Sequence, residues 1–241
     1  RYNLKATGMH MHIGSGTDFA HLSQVGEALI KLALRMPDLQ LISGGGGLPT
    51  PYRPGDKPLD VDAFTKLWLG TQARLEKELK RKVDLEIEPG RYLVAEAGHL
   101  IAEVRAVKQQ GKLTYYLLDA GFNNLARPIL YGSYHPMSLC PQGAATDETQ
   151  DVVVGGRLCE SGDIFTQAEG GFVETRKLPK AQVGDLLILH CAGAYGFGMG
   201  SNYNSTPLAA EVLISNGKAQ LIRERQSCED LIRGERVPDS L

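Results

Sequence analysis

The sequence has no apolar run approaching the ~18 residues a membrane-spanning helix needs, because Gly, His, Arg or Glu interrupts every candidate. It has no surplus of one charge. Lys and Arg number 26 against 28 Asp and Glu, a formal net charge of -2, whereas a nucleic-acid surface shows a basic excess. The opening Arg1, Tyr2, Asn3, Leu4 and Lys5 contain neither an initiator Met nor an apolar segment of signal-peptide type. Cysteine is sparse as well: Cys140, Cys159, Cys191 and Cys228 lie far apart, with no Cys-x-x-Cys pair. That excludes a disulfide framework and implies reduced thiols in a cytoplasmic protein, each by default a small buried hydrophobe. Repeats and low-complexity segments are absent too.

What is present is ordinary globular material, 42% hydrophobic over 241 residues, enough for one large or two medium cores. Residues 1–98 alternate strand and helix. Strands are expected at 8–13, 39–43 and 83–88. Between the first two, Asp18 is a plausible N-cap for a helix whose inner face carries Phe19, Leu22, Val25, Leu29, Leu32, Ala33 and Met36. A second helix carries Val61, Phe64, Leu67, Trp68, Leu75 and Leu79 inward. Strands alternating with helices at this spacing imply a parallel sheet or barrel wall. Residues 99–241 change texture, with short β-rich runs at 115–119, 151–154, 186–190 and 211–214. Asn216-Gly217 then marks a hairpin into 219–222, and a short helix is expected at 228–233.

A closed (β/α)8 barrel takes roughly 250 residues, and three strands cannot close one. The expectation is therefore a chain whose N-terminal part lies outside the sequence.

Two glycine-rich turns, Gly14-Ser15-Gly16 and Gly44-Gly45-Gly46-Gly47, follow the first two strands. Glycine there lets backbone N–H groups approach an anion, and a following helix N-terminus adds favourable potential. Glu88-Pro89-Gly90-Arg91 ends the third strand at the same rim. A carboxylate there is either a solvated strand end or a partner for a protonated cofactor ring nitrogen. Arg91 beside it can clamp a carboxylate or phosphate through its planar fork. His10 and His12 share one strand face, and His-x-His without nearby carboxylates is too thin for a metal site. In the second half, Cys159-Glu160-Ser161-Gly162-Asp163 places a thiol among carboxylates. That arrangement suits a proton donor, Cys159, beside a group for a cationic substrate end, Glu160.

In their order along the chain, these motifs resemble the fold-type III pyridoxal-phosphate (PLP) decarboxylases, and among them the bacterial diaminopimelate decarboxylases. The residues that carry the resemblance are His12-Ile13-Gly14-Ser15, Gly45-Gly46-Gly47, Glu88-Pro89-Gly90-Arg91, the Asp119 to Asn123 turn, the Arg127 to His135 segment, the Cys159 to Asp163 turn and the Gly193 to Tyr203 segment. It runs through essentially the whole chain.

The resemblance implies α/β plus all-β architecture: the C-terminal part of an alanine-racemase-like (β/α)8 PLP barrel, followed by a β-sandwich or β-barrel domain. It also implies a homodimer with shared active sites and decarboxylation of the D-configured centre of meso-2,6-diaminopimelate to L-lysine. By position, His12 would stack on the PLP ring, and Ser15 with Gly45, Gly46 and Gly47 would hold its phosphate, Tyr195 adding a hydroxyl. Glu88 would pair with the pyridine nitrogen, next to Gly90 and Arg91. Arg91, Arg127 and Tyr131 would grip the substrate, with Glu160 on its distal amine and Tyr195 nearby. Cys159 would protonate the carbon left after loss of carbon dioxide.

Two departures stand out. No lysine here has the context of the Schiff-base lysine, which the resemblance assigns to the N-terminal segment, so this stretch alone should be inactive. Thr206 stands where the family usually has Arg, removing a cation and leaving D-lysine or D-ornithine as alternative substrates. Retention of both Arg91 and Arg127 favours a substrate with a distal carboxylate. L-ornithine and arginine decarboxylases fit less well, because they carry Asp after the catalytic Cys. A non-catalytic, decarboxylase-like regulatory protein is opposed by the intact glycine turns, Glu88 and Cys159.

Overall fold

The computed structural model describes residues 2–12, 14 and 19–239. Ser15, the end of the first expected strand at Ile13 and the Asp18 cap lie outside the described residues. The chain divides into two units, Arg1–Glu96 and Ala97–Leu241.

Unit 1 is a βαβαβ arrangement. β1 (Gly8–His10), α1 (Phe19–Ala33), β2 (Leu41–Ser43), α2 (Val61–Leu79), β3 (Asp84–Glu86) and α3 (Gly90–Val94) follow one another. The three strands form one parallel sheet in the order β1-β2-β3. Their register is even, with His10 opposite Ser43 and Ser43 opposite Glu86. All three strands therefore end at one level, and whatever follows each emerges on the same rim.

The helices cover this sheet with a core of Leu22, Val25, Leu29, Ile42, Phe64, Trp68 and Leu75. Burying such side chains contributes roughly 1.5–3 kcal/mol each. Leu32, expected on the inner face of α1, is 45% exposed, while Gly26 and Ile30 are buried. At about 100° per residue Leu32 lies roughly 60° off Leu29, on the flank of the stripe. Val61 is likewise exposed at the first turn of α2. Gly26 has a packing reason: a Cβ there would stand 2.8 Å from Thr71 Oγ1 on α2. Asp60 caps α2 by accepting from the Ala63 N–H at 2.9 Å.

Unit 2 carries β4 (Leu100–Gln110), β5 (Leu113–Leu118), α4 (Arg127–Tyr131), β6 (Met137–Cys140), β7 (Thr149–Gly155), β8 (Arg176–Pro179) and β9 (Leu186–Leu189). β10 (Glu211–Ser215), β11 (Lys218–Arg223) and α5 (Cys228–Leu231) follow. Six strands pair in the order β6-β9-β4-β5-β7-β8. The pairing is antiparallel except between β5 and β7.

The long strand β4 joins two halves of this sheet. Leu100 to Glu103 pair with β9, and Val104 onward pair with β5 across an irregularity at Arg105. A bulge bends a strand and increases its twist, which lets one strand serve two directions. The inward residues Ala102, Val104, Tyr116, Leu118, Val152, Val154, Leu187 and Leu189 make the core. β10 and β11 form the expected hairpin, and Asn216 and Gly217 at its turn both have positive φ, 51° and 72°. Of the four cysteines only Cys191 is buried; Cys140, Cys159 and Cys228 are exposed.

Candidate functional site

In unit 1 the strand ends deliver three segments to one rim. The ladder continues one step past the strands, with the Met11 N–H donating to Ser43 O at 3.1 Å and the Gly44 N–H to Glu86 O at 2.9 Å. Beyond it the Glu88 N–H donates to Gly45 O at 2.9 Å. His12, the glycine run and Glu88 are thereby fixed side by side by backbone bonds.

The glycine run is shaped by close approach. A Cβ on Gly45, whose φ is +65°, would stand 2.4 Å from Met11 O, and one on Gly46 would stand 2.5 Å from Glu88 O. Any other residue would push the neighbouring segments apart. The Gly46 N–H donates to His12 Nδ1 at 3.1 Å, and the Gly45 N–H to Ser43 Oγ at 3.2 Å. Two of the N–H groups that the sequence offers to an anion are thus donated within the unit, and Gly46 sets the orientation of His12. Because Nδ1 accepts, a neutral His12 carries its proton on Nε2.

A Pro-rich loop follows this run, and α2 begins at Val61, where the apolar pattern placed it. The dipole of α2 therefore does not act on the turn, since the effect fades within a helix's first turn.

His10 stacks beside His12, with ring centroids 6.4 Å apart and planes at 10°. His10 Nε2 meets Glu88 Oε2 at 3.2 Å, with both side chains about half exposed. Gly90 opens α3. Arg91 Nη2 donates to Gly47 O at 3.3 Å and Leu48 O at 3.1 Å. Arg91 thus fastens the end of the glycine run.

In unit 2 the turn at 159–163 is held from two sides. Asp163 is buried and accepts from the Phe122 N–H through Oδ1 and from the Leu158 N–H through Oδ2, each at 2.7 Å. Burial pushes its carboxyl up from the ordinary range, against the pull of those two donors. On the other side Asn204 Oδ1 accepts from the Cys159 N–H at 2.9 Å. The Cys159 thiol stays exposed at the tip.

Glu160 accepts from the Gly162 N–H at 3.3 Å and Ser161 Oγ at 3.2 Å, and its other oxygen accepts from Tyr203 Oη at 3.2 Å. These donors hold its carboxyl below the usual range, the Gly162 N–H contributing most, then Tyr203. Glu160 is therefore a firm anion beside an exposed thiol.

A second cluster of unit 2 surrounds the buried Arg127 at the start of α4. Arg127 Nη1 donates to His135 Nε2 at 3.0 Å, and the Arg127 guanidinium carbon lies 5.8 Å from the centre of the Tyr195 ring. Tyr195 is half exposed and holds a φ of +63°, a left-handed conformation uncommon away from glycine. Tyr131 closes α4 and is 60% exposed. Ile129, between them, packs where a Cβ on Gly162 would stand, 2.9 Å away, so α4 and the Cys159 turn are neighbours.

Unit 1 therefore brings together His12, Gly45, Gly46, Gly47, Glu88, Gly90 and Arg91. Unit 2 brings together Cys159 and Glu160, with Arg127, Tyr131 and Tyr195 on the adjoining cluster. Tyr203, Asn204 and His135 escaped sequence reasoning as site residues. The signal for the first two was the polar run Ser201-Asn202-Tyr203-Asn204-Ser205, too polar for a core strand. Thr206 is buried, its N–H donating to Tyr203 O at 3.3 Å and its carbonyl accepting from Asn202 Nδ2 at 3.0 Å. It shapes the Tyr203 turn from below. Among the described residues no three His, Cys, Asp or Glu side chains converge as a metal site, and no helix is long and apolar enough to cross a membrane.

The family model for the pyridoxal-dependent decarboxylase C-terminal sheet domain matches residues 25–193. A diaminopimelate decarboxylase of Escherichia coli strain K12 is 52% identical over 236 residues, covering 96% of this chain and 56% of that relative. A crystal structure of diaminopimelate decarboxylase matches with a TM-score of 0.91 at 52% identity, over 94% of this chain and 55% of the other. The diaminopimelate decarboxylase of M. jannaschii in co-complex with L-lysine matches with a TM-score of 0.84 at 32% identity, over 98% of this chain and 53% of the other. The chain spans about half the length of the curated relatives it matches.

Proposed function

The chain belongs to the pyridoxal-dependent decarboxylase family, and from that premise we infer that it serves the decarboxylation of meso-2,6-diaminopimelate at its D-configured centre, giving L-lysine and carbon dioxide. The observation that carries the reading is the rim of unit 1, where the Gly46 N–H sets His12 beside Glu88. The relatives named diaminopimelate decarboxylase support the substrate. The parallel order β1-β2-β3 with helices between supports unit 1 as the C-terminal part of an alanine-racemase-like (β/α)8 barrel.

The residues present fit PLP. A flat ring needs a flat partner, which His12 offers with Nδ1 already engaged by Gly46. A protonated pyridine nitrogen needs a carboxylate, and Glu88 offers one, half exposed at the same rim, where its Oε2 meets His10 Nε2. The glycine run lets His12 and the Glu88 segment close up at one rim, because a Cβ on Gly45 or Gly46 would meet Met11 O or Glu88 O. On this reading His12 stacks on the ring and Glu88 pairs with its nitrogen. Ser15 and Gly47 serve the phosphate, while Arg91 keeps the run in place. Bound PLP supplies an electron sink for the charge left when carbon dioxide departs.

The remaining work falls to unit 2. Arg127 and Tyr131 grip the substrate, Arg127 as a permanent cation for a carboxylate. Glu160 takes the distal ammonium group, which its depressed pKa suits. Cys159 Sγ gives its proton to the carbon that lost carbon dioxide and recovers one from water. We place these residues in a homodimer with shared active sites.

The test is carbon dioxide release by the natural full-length protein with PLP from meso-diaminopimelate, D-lysine, D-ornithine and L-ornithine in parallel. The expected result is a preference for meso-diaminopimelate. A preference for D-lysine or D-ornithine would overturn the substrate while keeping the cofactor, and would give the loss of Arg at Thr206 its meaning.

A further inference from the structure

The buried cluster behind Arg127 has a direction built into it. His135 is 1% exposed and lies two residues before β6. Its Nδ1 lies 2.9 Å from His190 O, and its Nε2 lies 3.0 Å from Arg127 Nη1. A carbonyl oxygen only accepts and a guanidinium only donates. The imidazole must therefore carry its single proton on Nδ1 and present Nε2 as a bare acceptor.

The carbonyl that selects this tautomer is itself fixed. The His190 N–H donates to Pro136 O at 2.8 Å, continuing the pairing of β6 with β9. The His190 ring is held by Ser138 Oγ at 2.7 Å and by His99 Nδ1 at 3.2 Å.

We propose that His135 is a positioning residue, whose unprotonated Nε2 aims the Arg127 guanidinium at the substrate from behind. The inference rests on the reading of Arg127 as a substrate-binding cation. A neutral acceptor suits this role, because it orients the cation without adding a negative charge beside it, as a carboxylate there would. Burial, the largest influence, together with the nearby Arg127 charge holds His135 down to about 4, so the acceptor persists at neutral pH.

The test uses the full-length, PLP-loaded protein and three variants. His135→Leu keeps the volume and removes the acceptor. His135→Gln returns an acceptor oxygen near the Nε2 position, and Arg127→Met removes the cation. The expected result is a KM for meso-diaminopimelate raised about tenfold or more in His135→Leu, with kcat changed much less and most of the loss recovered in His135→Gln. If Arg127→Met raises KM while His135→Leu does not, or if Gln fails as badly as Leu, the positioning role is overturned and the reading of Arg127 stands. If Arg127→Met itself leaves KM unchanged, both fall together. Nitrogen-15 NMR of the imidazoles in the unsubstituted protein needs no variant to fold. A neutral His135 protonated on Nδ1 at pH 7 is expected, and protonation on Nε2 or on both nitrogens would overturn the inference alone.

Discussion

Tyr203 Oη donates to Glu160 Oε2 at 3.2 Å, joining residues 43 positions apart. The tyrosine ring lies against Phe122, with centroids 4.8 Å apart, and Asn204 next to it holds the Cys159 N–H. One short turn therefore sets both the carboxylate and the thiol of the 159–163 turn.

Replacing Tyr203 with Phe removes one of the donors that depress Glu160, so the Glu160 pKa rises towards the ordinary range. Glu160 serves as an anion on the proposed reading. The acid limb of kcat/KM for meso-diaminopimelate should therefore move to higher pH in Tyr203→Phe, with the loss greatest at low pH. A full pH profile of both proteins measures this; superimposable acid limbs would exclude the role given to the pair.

His135 makes acid destabilise unit 2. Its pKa is lowered from 6.5 to about 4 on folding, so the folded state binds fewer protons than the unfolded state between those values. Stability is then complete above the unfolded pKa and declines as pH falls from about 6.5 to about 4, by about 3 kcal/mol in all. Urea midpoints taken across that window should fall steeply in the parent and less steeply in His135→Gln. Parallel slopes would count against a neutral buried histidine.

At the rim of unit 1, Gly46→Ala brings a Cβ to 2.5 Å from Glu88 O. Either the glycine run or the Glu88 segment must shift, and the Gly46 bond that sets His12 moves with it. The expected outcome is an apparent PLP affinity weakened about tenfold or more, read by fluorescence titration of the apoprotein. An unchanged affinity would remove the glycine run from the cofactor site.

Cys159→Ala deletes the proposed proton donor from an exposed turn whose backbone is held by Asn204 and Asp163. Turnover should fall by roughly 10²–10⁴, the usual contribution of a positioned acid, while bound PLP per subunit stays at the parental level. Loss of the cofactor absorbance band instead would mean that Cys159 supports binding rather than proton transfer.

Periodicity made α1 and α2 legible, because a stripe such as Leu22, Val25 and Leu29 has one geometric meaning. Asn216-Gly217 was as clear, since few other pairs accept two consecutive positive φ values. The glycine run and Glu88-Pro89-Gly90-Arg91 stood out because glycine tolerates a close approach that other residues refuse. β4, the longest strand, was not legible. Glu103, Arg105 and Lys108 break its apolar run, and the irregularity at Arg105 disturbs the alternation that would mark a strand.

The sequence marked His12, the glycine run, Glu88, Cys159 and Glu160 as candidates, while Tyr203, Asn204 and His135 left no such local mark. Which of them hold one another was decided only by the tertiary structure. Gly46 turned out to hold His12 across 34 positions, and the His190 carbonyl to choose the tautomer of His135 across 55. A helix or turn is selected by neighbours in the chain and leaves a local pattern. A hydrogen bond between distant segments is selected by strand register, which brings the donor and acceptor together only once the sheet has formed.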